Sequence, residues 1–162
     1  MNNKNLIIDK DLGFNKIMTD ALKASNISVA VGFQDGDITH LQVKGDRRKS
    51  PGASIAQIAA YNEFGTDVIP ERSFMRSGFD ENQSRIVNFA NKQFGLVIDG
   101  ALNLNDALGL IGQLVQGIIQ VKIRQIRTPP NAPSTITKTG SDRPLIDFGQ
   151  MVQSVRYAIV RN

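Results

Sequence analysis

Ile27, Val29, Val31 and Phe33 alternate with Ser28, Ala30, Gly32 and Gln34, so that every second residue is apolar. Successive side chains of a β-strand point to opposite faces, which gives this segment one apolar face and one small or polar face. Such a strand sits half-buried in a sheet, with other elements covering its apolar side. Near the far end of the chain, Val155, Tyr157 and Ile159 alternate in the same way with Arg156, Ala158 and Val160 and predict a final strand.

Between and before these strands the apolar residues recur at helical steps. Phe14, Ile17, Met18, Ala21 and Leu22 predict a helix over 13–25, preceded by a short apolar run at 6–8 that suits an edge strand. Ser54 can cap a short helix over 55–64, with Gly65 placed for a left-handed C-cap. A first long helix is expected from about Ser77, an N-cap residue, with Asp80 and Glu81 in its first turn. Its buried stripe would be Phe79, Ile86, Ala90, Phe94 and Val97. After a turn at 100–103, Asn105 or Asp106 begins a second long helix carrying Leu108, Ile111, Leu114, Val115, Ile118, Ile119, Ile123 and Ile126. Gly109, Gly112 and Gly117 lie inside it, each costing roughly 1 kcal/mol relative to Ala. A close helix–helix or subunit contact would offset that cost. Thr128–Pro129–Pro130 stops the helix.

Two stretches lack periodicity. Residues 34–53 predict a long loop or a hairpin through 39–43, and the Pro-, Thr- and Ser-rich residues 128–143 predict an extended arm. Asp147 then caps a short helix through Ser154, with Gln150 completing a capping box. The expected architecture is a single α+β domain over 1–162, a small antiparallel sheet packed against two long helices and shorter ones, with extended loops.

Composition narrows the chemistry. The 162 residues include no Cys and one His, and 41% are apolar against 21% charged, the balance of an ordinary globular chain. Without cysteine there is no disulfide and no thiolate metal site. His40, in the expected loop, offers no multi-His metal site or triad. The string Gly45–Asp46–Arg47–Arg48–Lys49–Ser50 ends like a phosphate loop but lacks the upstream glycine. Asp35 and Asp37 fall in a Gly-rich turn without further ligands. The apolar stretch at 108–126 is interrupted by Gln113, Gln116, Gln120, Lys122 and Arg124, which excludes a bilayer span there. No catalysis, cofactor or metal is expected. The net charge of +4 is uneven: residues 122–162 hold seven Lys/Arg against two Asp, and the remainder twelve against thirteen acids. A basic surplus of this kind suits a DNA-facing surface or a solvated face. Lys44, Arg47, Arg48 and Lys49 are the candidate DNA-facing residues, without interleaved aromatics for base stacking.

The strand Val29–Ala30–Val31–Gly32–Phe33 is followed, in order, by four distinctive strings. These are Ala56–Gln57–Ile58–Ala59–Ala60–Tyr61–Asn62–Glu63–Phe64–Gly65–Thr66, Ile69–Pro70–Glu71–Arg72–Ser73–Phe74–Met75–Arg76, Pro129–Pro130–Asn131–Ala132–Pro133–Ser134–Thr135–Ile136 and Pro144–Leu145–Ile146–Asp147–Phe148–Gly149–Gln150–Met151. Together they resemble the HK97 gp10-like family of tailed-phage neck and tail-component proteins, over nearly the whole chain from Val29 onward. The chain departs from the family pattern at Ser73, where a proline is common, and at Phe148, where a threonine is common.

The resemblance implies a structural virion protein, a neck or tail-completion subunit forming a ring at the head–tail junction and assembled in the host cytoplasm. It implies a homo-oligomer, a hexamer favoured over a dodecamer, with portal-side connector and tail terminator or tube proteins as partners, and no membrane. The interface candidates are Glu63, Phe64, Arg72, Phe74, Arg76, Pro133, Ile136, Leu145, Asp147, Phe148 and Gln150. Buried aromatics and arginines are frequent interface anchors. The competing reading makes Phe74 core, Arg72 and Arg76 surface, and Asp147 a helix cap. The rival functions are a nucleic-acid-binding accessory or transient assembly factor and, more remotely, a small phage hydrolase.

Overall fold

The computed structural model describes residues 13–33, 53–140, 142–146 and 149–161. The expected strand at 6–8, the hairpin within 34–53, His40, Asp35, Asp37, Asp147 and Phe148 lie outside the described residues. Among those described, the order is α1 (Phe14–Ala24), β1 (Ile27–Phe33), α2 (Ile55–Phe64), α3 (Met75–Glu81), α4 (Gln83–Ile98), α5 (Leu104–Gln125), α6 (Pro133–Thr139), α7 (Gln150–Ser154) and β2 (Val155–Arg161). The fold is α+β, with β1 and β2 paired antiparallel from Ile27↔Arg161 to Phe33↔Val155. That register puts Ile27, Val29, Val31 and Phe33 on the same face as Ile159, Tyr157 and Val155, as the alternation in both strands requires.

Helix α5 is the axis of the molecule. Its first turns bury Leu104, Ala107 and Leu108 with Val97 of α4, against Ile27, Val29 and Ile159 at one end of the sheet. Its later turns bury Ile119 and Ile123 with Ala59, Phe74, Leu145, Met151, Val152 and Val155, against Val31 and Phe33 at the other end. Phe33 and Phe74 meet edge to face in this second cluster, with ring centroids 6.0 Å apart. Two glutamines tie α5 to the C-terminal elements: Gln116 Oε1 accepts the Tyr157 N–H of β2 at 3.2 Å, and Gln120 Nε2 donates to the Val152 carbonyl of α7 at 3.1 Å.

The glycines of α5 have unlike roles. A Cβ on Gly112 would lie 2.5 Å from Tyr157 Cδ2, so the missing side chain admits the tyrosine ring onto the helix. Gly109 faces the same ring, whereas a Cβ on Gly117 would meet nothing within 4 Å. The contact behind Gly112 is therefore helix against strand. The helix-to-helix approach lies at Gly78 of α3, where a Cβ would stand 3.1 Å from Ile119 Cδ1.

Several local expectations are corrected. The helix expected from Ser77 begins at Met75 and breaks at Asn82, which ends α3 and precedes α4. Ser77 lies inside α3, its hydroxyl donating to the Ser73 carbonyl. Of the expected stripe, Ile86 and Val97 are buried on α4, joined by Gln93, while Phe79 and Phe94 are exposed. Helix α5 starts earlier than Asn105, because Asn103 accepts the Asp106 N–H at 2.9 Å and acts as N-cap. Gly65 has φ 73 but ψ 169, an extended backbone open to glycine rather than a left-handed cap. The arm expected at 128–143 contains α6, which opens with Pro133 and ends at left-handed Gly140. Gly149, with φ 70, is the N-cap residue of α7 in place of Asp147.

Candidate functional site

Helix α2 buries Ile55, Ala59 and Glu63, three residues spaced by single turns, so its apolar face ends in a carboxylate. Ser54 starts the helix with a complete capping box to Gln57. Past Glu63 the chain reverses at Gly65, where a Cβ would lie 3.1 Å from the Glu71 nitrogen. Thr66 fixes the turn: its N–H donates to the Ile69 carbonyl at 2.8 Å, and its hydroxyl oxygen accepts the Ile69 N–H at 3.0 Å. The returning strand is anchored when the Arg72 N–H donates to the Asn62 carbonyl at 2.6 Å.

This reversal delivers the start of α3 to the Glu63 carboxylate. Helix α3 has no side-chain cap of its own. Glu63 Oε2 accepts the N–H groups of Phe74 and Met75, each at 2.8 Å. Oε1 accepts the Arg76 N–H at 3.0 Å, Arg76 Nε at 3.1 Å and the Ser73 hydroxyl at 3.1 Å. Burial alone would raise the carboxyl, but the N–H donors of Met75, Arg76 and Phe74 and the Arg76 guanidinium outweigh it and hold it below its ordinary value. A carboxylate so saturated is a poor proton acceptor. Its role is to fill the unsatisfied donors of a helix N-terminus, where the helix dipole also favours negative charge.

Two arginines flank this cap and behave differently. Arg76 is exposed; it bridges Glu63 to Glu71, with Nη2 2.6 Å from Glu71 Oε1, and its guanidinium carbon lies 5.1 Å above the Phe64 ring. Arg72 is only 6% exposed. Its Nε donates to the Pro129 carbonyl at 2.7 Å, Nη2 to the Pro130 carbonyl at 2.8 Å, and Nη1 to Asn62 Oδ1 at 2.9 Å. Asn62 Nδ2 is itself held by the Ile58 carbonyl at 2.9 Å. Among the described residues no carboxylate pairs with Arg72. Burial pulls its pKa down, but arginine remains a cation at any ordinary pH.

A groove of about 270 Å³ opens beside Arg72, between α2, the 68–70 turn, α6 and the 143–151 segment. Ile55, Ile58, Leu145 and Met151 line it with Arg72 and Arg143, and among the described residues no acid is in its walls. Leu145, at φ 65, holds a backbone conformation uncommon outside glycine, and its side chain is anchored in the second core cluster.

The structure thus gathers Glu63, Phe64, Arg72, Phe74 and Arg76 into one network and places Leu145 and Gln150 at the adjacent groove. Phe74 is fully buried within the chain, and Glu63 and Arg72 are buried with it. Pro133 and Ile136 lie exposed on α6. Asp147, Phe148, Lys44, Arg47, Arg48 and Lys49 lie outside the described residues. Sequence reasoning missed Asn62, Pro129 and Pro130 as partners of Arg72. Proline carbonyls carry no sequence signal for a distant guanidinium, although Asn62 sits one position before Glu63 in the same string. Among the described residues, no group of three His, Cys, Asp or Glu side chains could hold a metal ion, and no helix is long and apolar enough to cross a membrane. Compared with family models, with curated proteins and with solved structures, the chain matches none.

Proposed function

We propose that this chain is a structural subunit of a tailed-phage virion, a neck or tail-completion protein that closes into a ring at the head–tail junction. Its mechanism is assembly: unlike faces of neighbouring copies meet head to tail, and the finished ring recruits the tail or seals the filled head. One observation carries this reading. The Glu63–Arg72–Arg76 network braces α2, α3 and the Pro129–Pro130 turn into a fixed shelf, and that shelf displays Tyr61, Phe64 and Val68 to solvent, Phe64 at 67% and Val68 at 89% exposure. Large apolar side chains clustered on a rigid edge are the raw material of a subunit interface. The polar groups of the network are engaged in bracing, so the site suits binding rather than bond-making.

Sedimentation of the purified chain across a wide concentration range, followed by cryo-electron microscopy of any assembled species, tests this. Closed rings are the expected result, hexamers ahead of dodecamers. A strictly monomeric protein that stays monomeric with portal and tail-tube partners would contradict it. The second reading, a nucleic-acid-binding accessory factor, draws on the exposed Arg124, Arg127, Arg143, Arg156 and Arg161 of the basic C-terminal third. Steeply salt-dependent DNA binding by the isolated subunit would favour it.

A further inference from the structure

We propose that the groove beside Arg72 receives the tip of the α4–α5 hairpin, Ile98 and Asp99, from a second copy of this chain. The inference rests on the ring reading above and names the contact that would build the ring. Two charges, Arg72 and Asp99, have no opposite charge paired with them among the described residues of their own chain. Arg72 is buried with three neutral oxygen partners and, among the described residues, no carboxylate. Three of its five N–H donors are used, which leaves one hydrogen on each terminal nitrogen. A buried cation without an anion is costly unless one is supplied from elsewhere. Among the described residues the groove it lines is walled by apolar side chains, by Asn62, Asn131, Thr135 and Gln150, and by a second arginine, Arg143, and by no acid. It therefore suits a carboxylate adjoining an aliphatic side chain.

Asp99 supplies the complement. It is the C-cap residue of α4, where the helix dipole disfavours negative charge, and no basic residue lies in the last turn to offset it. Beside it Ile98 is 59% exposed. The turn that carries both is fixed by backbone hydrogen bonds from Asp99 to Gly95, Gly100 to Val97 and Ala101 to Leu96. Among the described residues, other acids next to an exposed apolar residue are placed differently: Asp67 precedes Val68, which itself lines the groove, and Asp80 lies with Phe79 in a separate groove against β1.

The two surfaces lie at opposite ends of α5. The hairpin tip precedes Leu104, and Pro129 and Pro130, which grip Arg72, follow Gln125; the intervening 22-residue helix is about 33 Å long. A knob and a socket so far apart cannot meet within one chain. Between copies they form a heterologous contact, which repeats into a ring or a filament.

The absence of native cysteine allows a direct test. The full-length chain carrying both Val68→Cys and Ile98→Cys, treated with a short bis-maleimide, should give a ladder of covalent multimers, whereas either single variant should stop at dimers. Asp99→Lys should weaken self-association roughly tenfold or more while leaving the circular dichroism spectrum unchanged and the melting temperature no lower. Self-association with no ladder and unchanged affinity in Asp99→Lys would overturn this contact and leave the ring reading standing. No self-association of the unmodified chain at any concentration, with or without virion partners, would overturn both.

Discussion

The carboxylate of Glu63 accepts the backbone N–H of Phe74 at 2.8 Å, eleven residues further along the chain, and so caps a helix to which it does not belong. Phe74 is the hinge of this arrangement, since its amide faces the carboxylate and its ring is wholly buried against Phe33. The first residues of α3 are thereby tied at once to α2 and to the sheet. A local Ser or Asp cap would satisfy the same donors without joining the two helices.

Replacing Glu63 tests this long-range cap. Glu63→Ala removes an acceptor for five donors and leaves buried amides unpaired, which should cost about 3 kcal/mol in urea unfolding at neutral pH. The pH dependence has a definite sign. The folded carboxyl lies below its ordinary value of 4.5, so its contribution is complete above that value and is lost as pH falls through the folded one. Glu63→Gln, which cannot ionise, should flatten this acid loss. An equally steep acid limb in the variant would assign the loss to other groups.

Arg72→Lys should be far from conservative. An ammonium cannot reach Pro129, Pro130 and Asn62 together in the planar geometry the three acceptors define. The expected loss is about 2–4 kcal/mol, since the residue is buried and its partners would be stranded. Hydrogen exchange locates the damage. The amides of Thr135 and Ile136, which donate to the Ala132 carbonyl at the start of α6, should exchange faster, while those of the β1–β2 ladder should change less.

The strands and most helices were legible because their signals are local. The two alternating segments pair in a register that keeps Ile27, Val29, Val31 and Phe33 on one face with Val155, Tyr157 and Ile159, and Ser54 and Ile55–Phe64 fall where the capping pattern puts them. What escaped depends on partners distant in sequence. Met75 starts α3 because Glu63 caps it from another helix, so local cap preference pointed to Ser77 instead. Helix α6 is a short run of Ser and Thr residues opened by Pro133; its composition reads as loop, and only the proline at its first position hints otherwise. At the candidate site, Glu63 stood out only as an interface candidate from the resemblance, and its burial on α2 had no local signal. The grip of Arg72 on Pro129 and Pro130, 57 and 58 residues away, had no periodicity to reveal it.

The glycines of α5 should give opposite signs on substitution. Gly112→Ala places a methyl group 2.5 Å from Tyr157 Cδ2 and 2.6 Å from Cγ, forcing the ring or the strand outward. Overpacking of this kind costs about 1–3 kcal/mol, more than the roughly 1 kcal/mol gained from helix propensity. Gly117→Ala meets nothing within 4 Å and should stabilise by up to about 1 kcal/mol. Thermal melts of the two variants side by side check the contrast.

Leu22 of α1 offers the last prediction, and it separates folding from assembly. Helix α1 has 11 residues, a length at which isolated helices are marginal in water, and its apolar stripe of Ile17, Met18 and Leu22 is turned outward, Leu22 at 67% exposure. If that stripe serves a neighbouring molecule, Leu22→Gln should leave the melting temperature of the dilute protomer nearly unchanged, within about 0.5 kcal/mol of stability, as for other surface substitutions. The same variant should associate more weakly in sedimentation at high concentration, because the apolar area it removes is buried only between molecules. A large drop in melting temperature with association unaffected would place the stripe against its own chain, and α1 would then belong to the protomer's core.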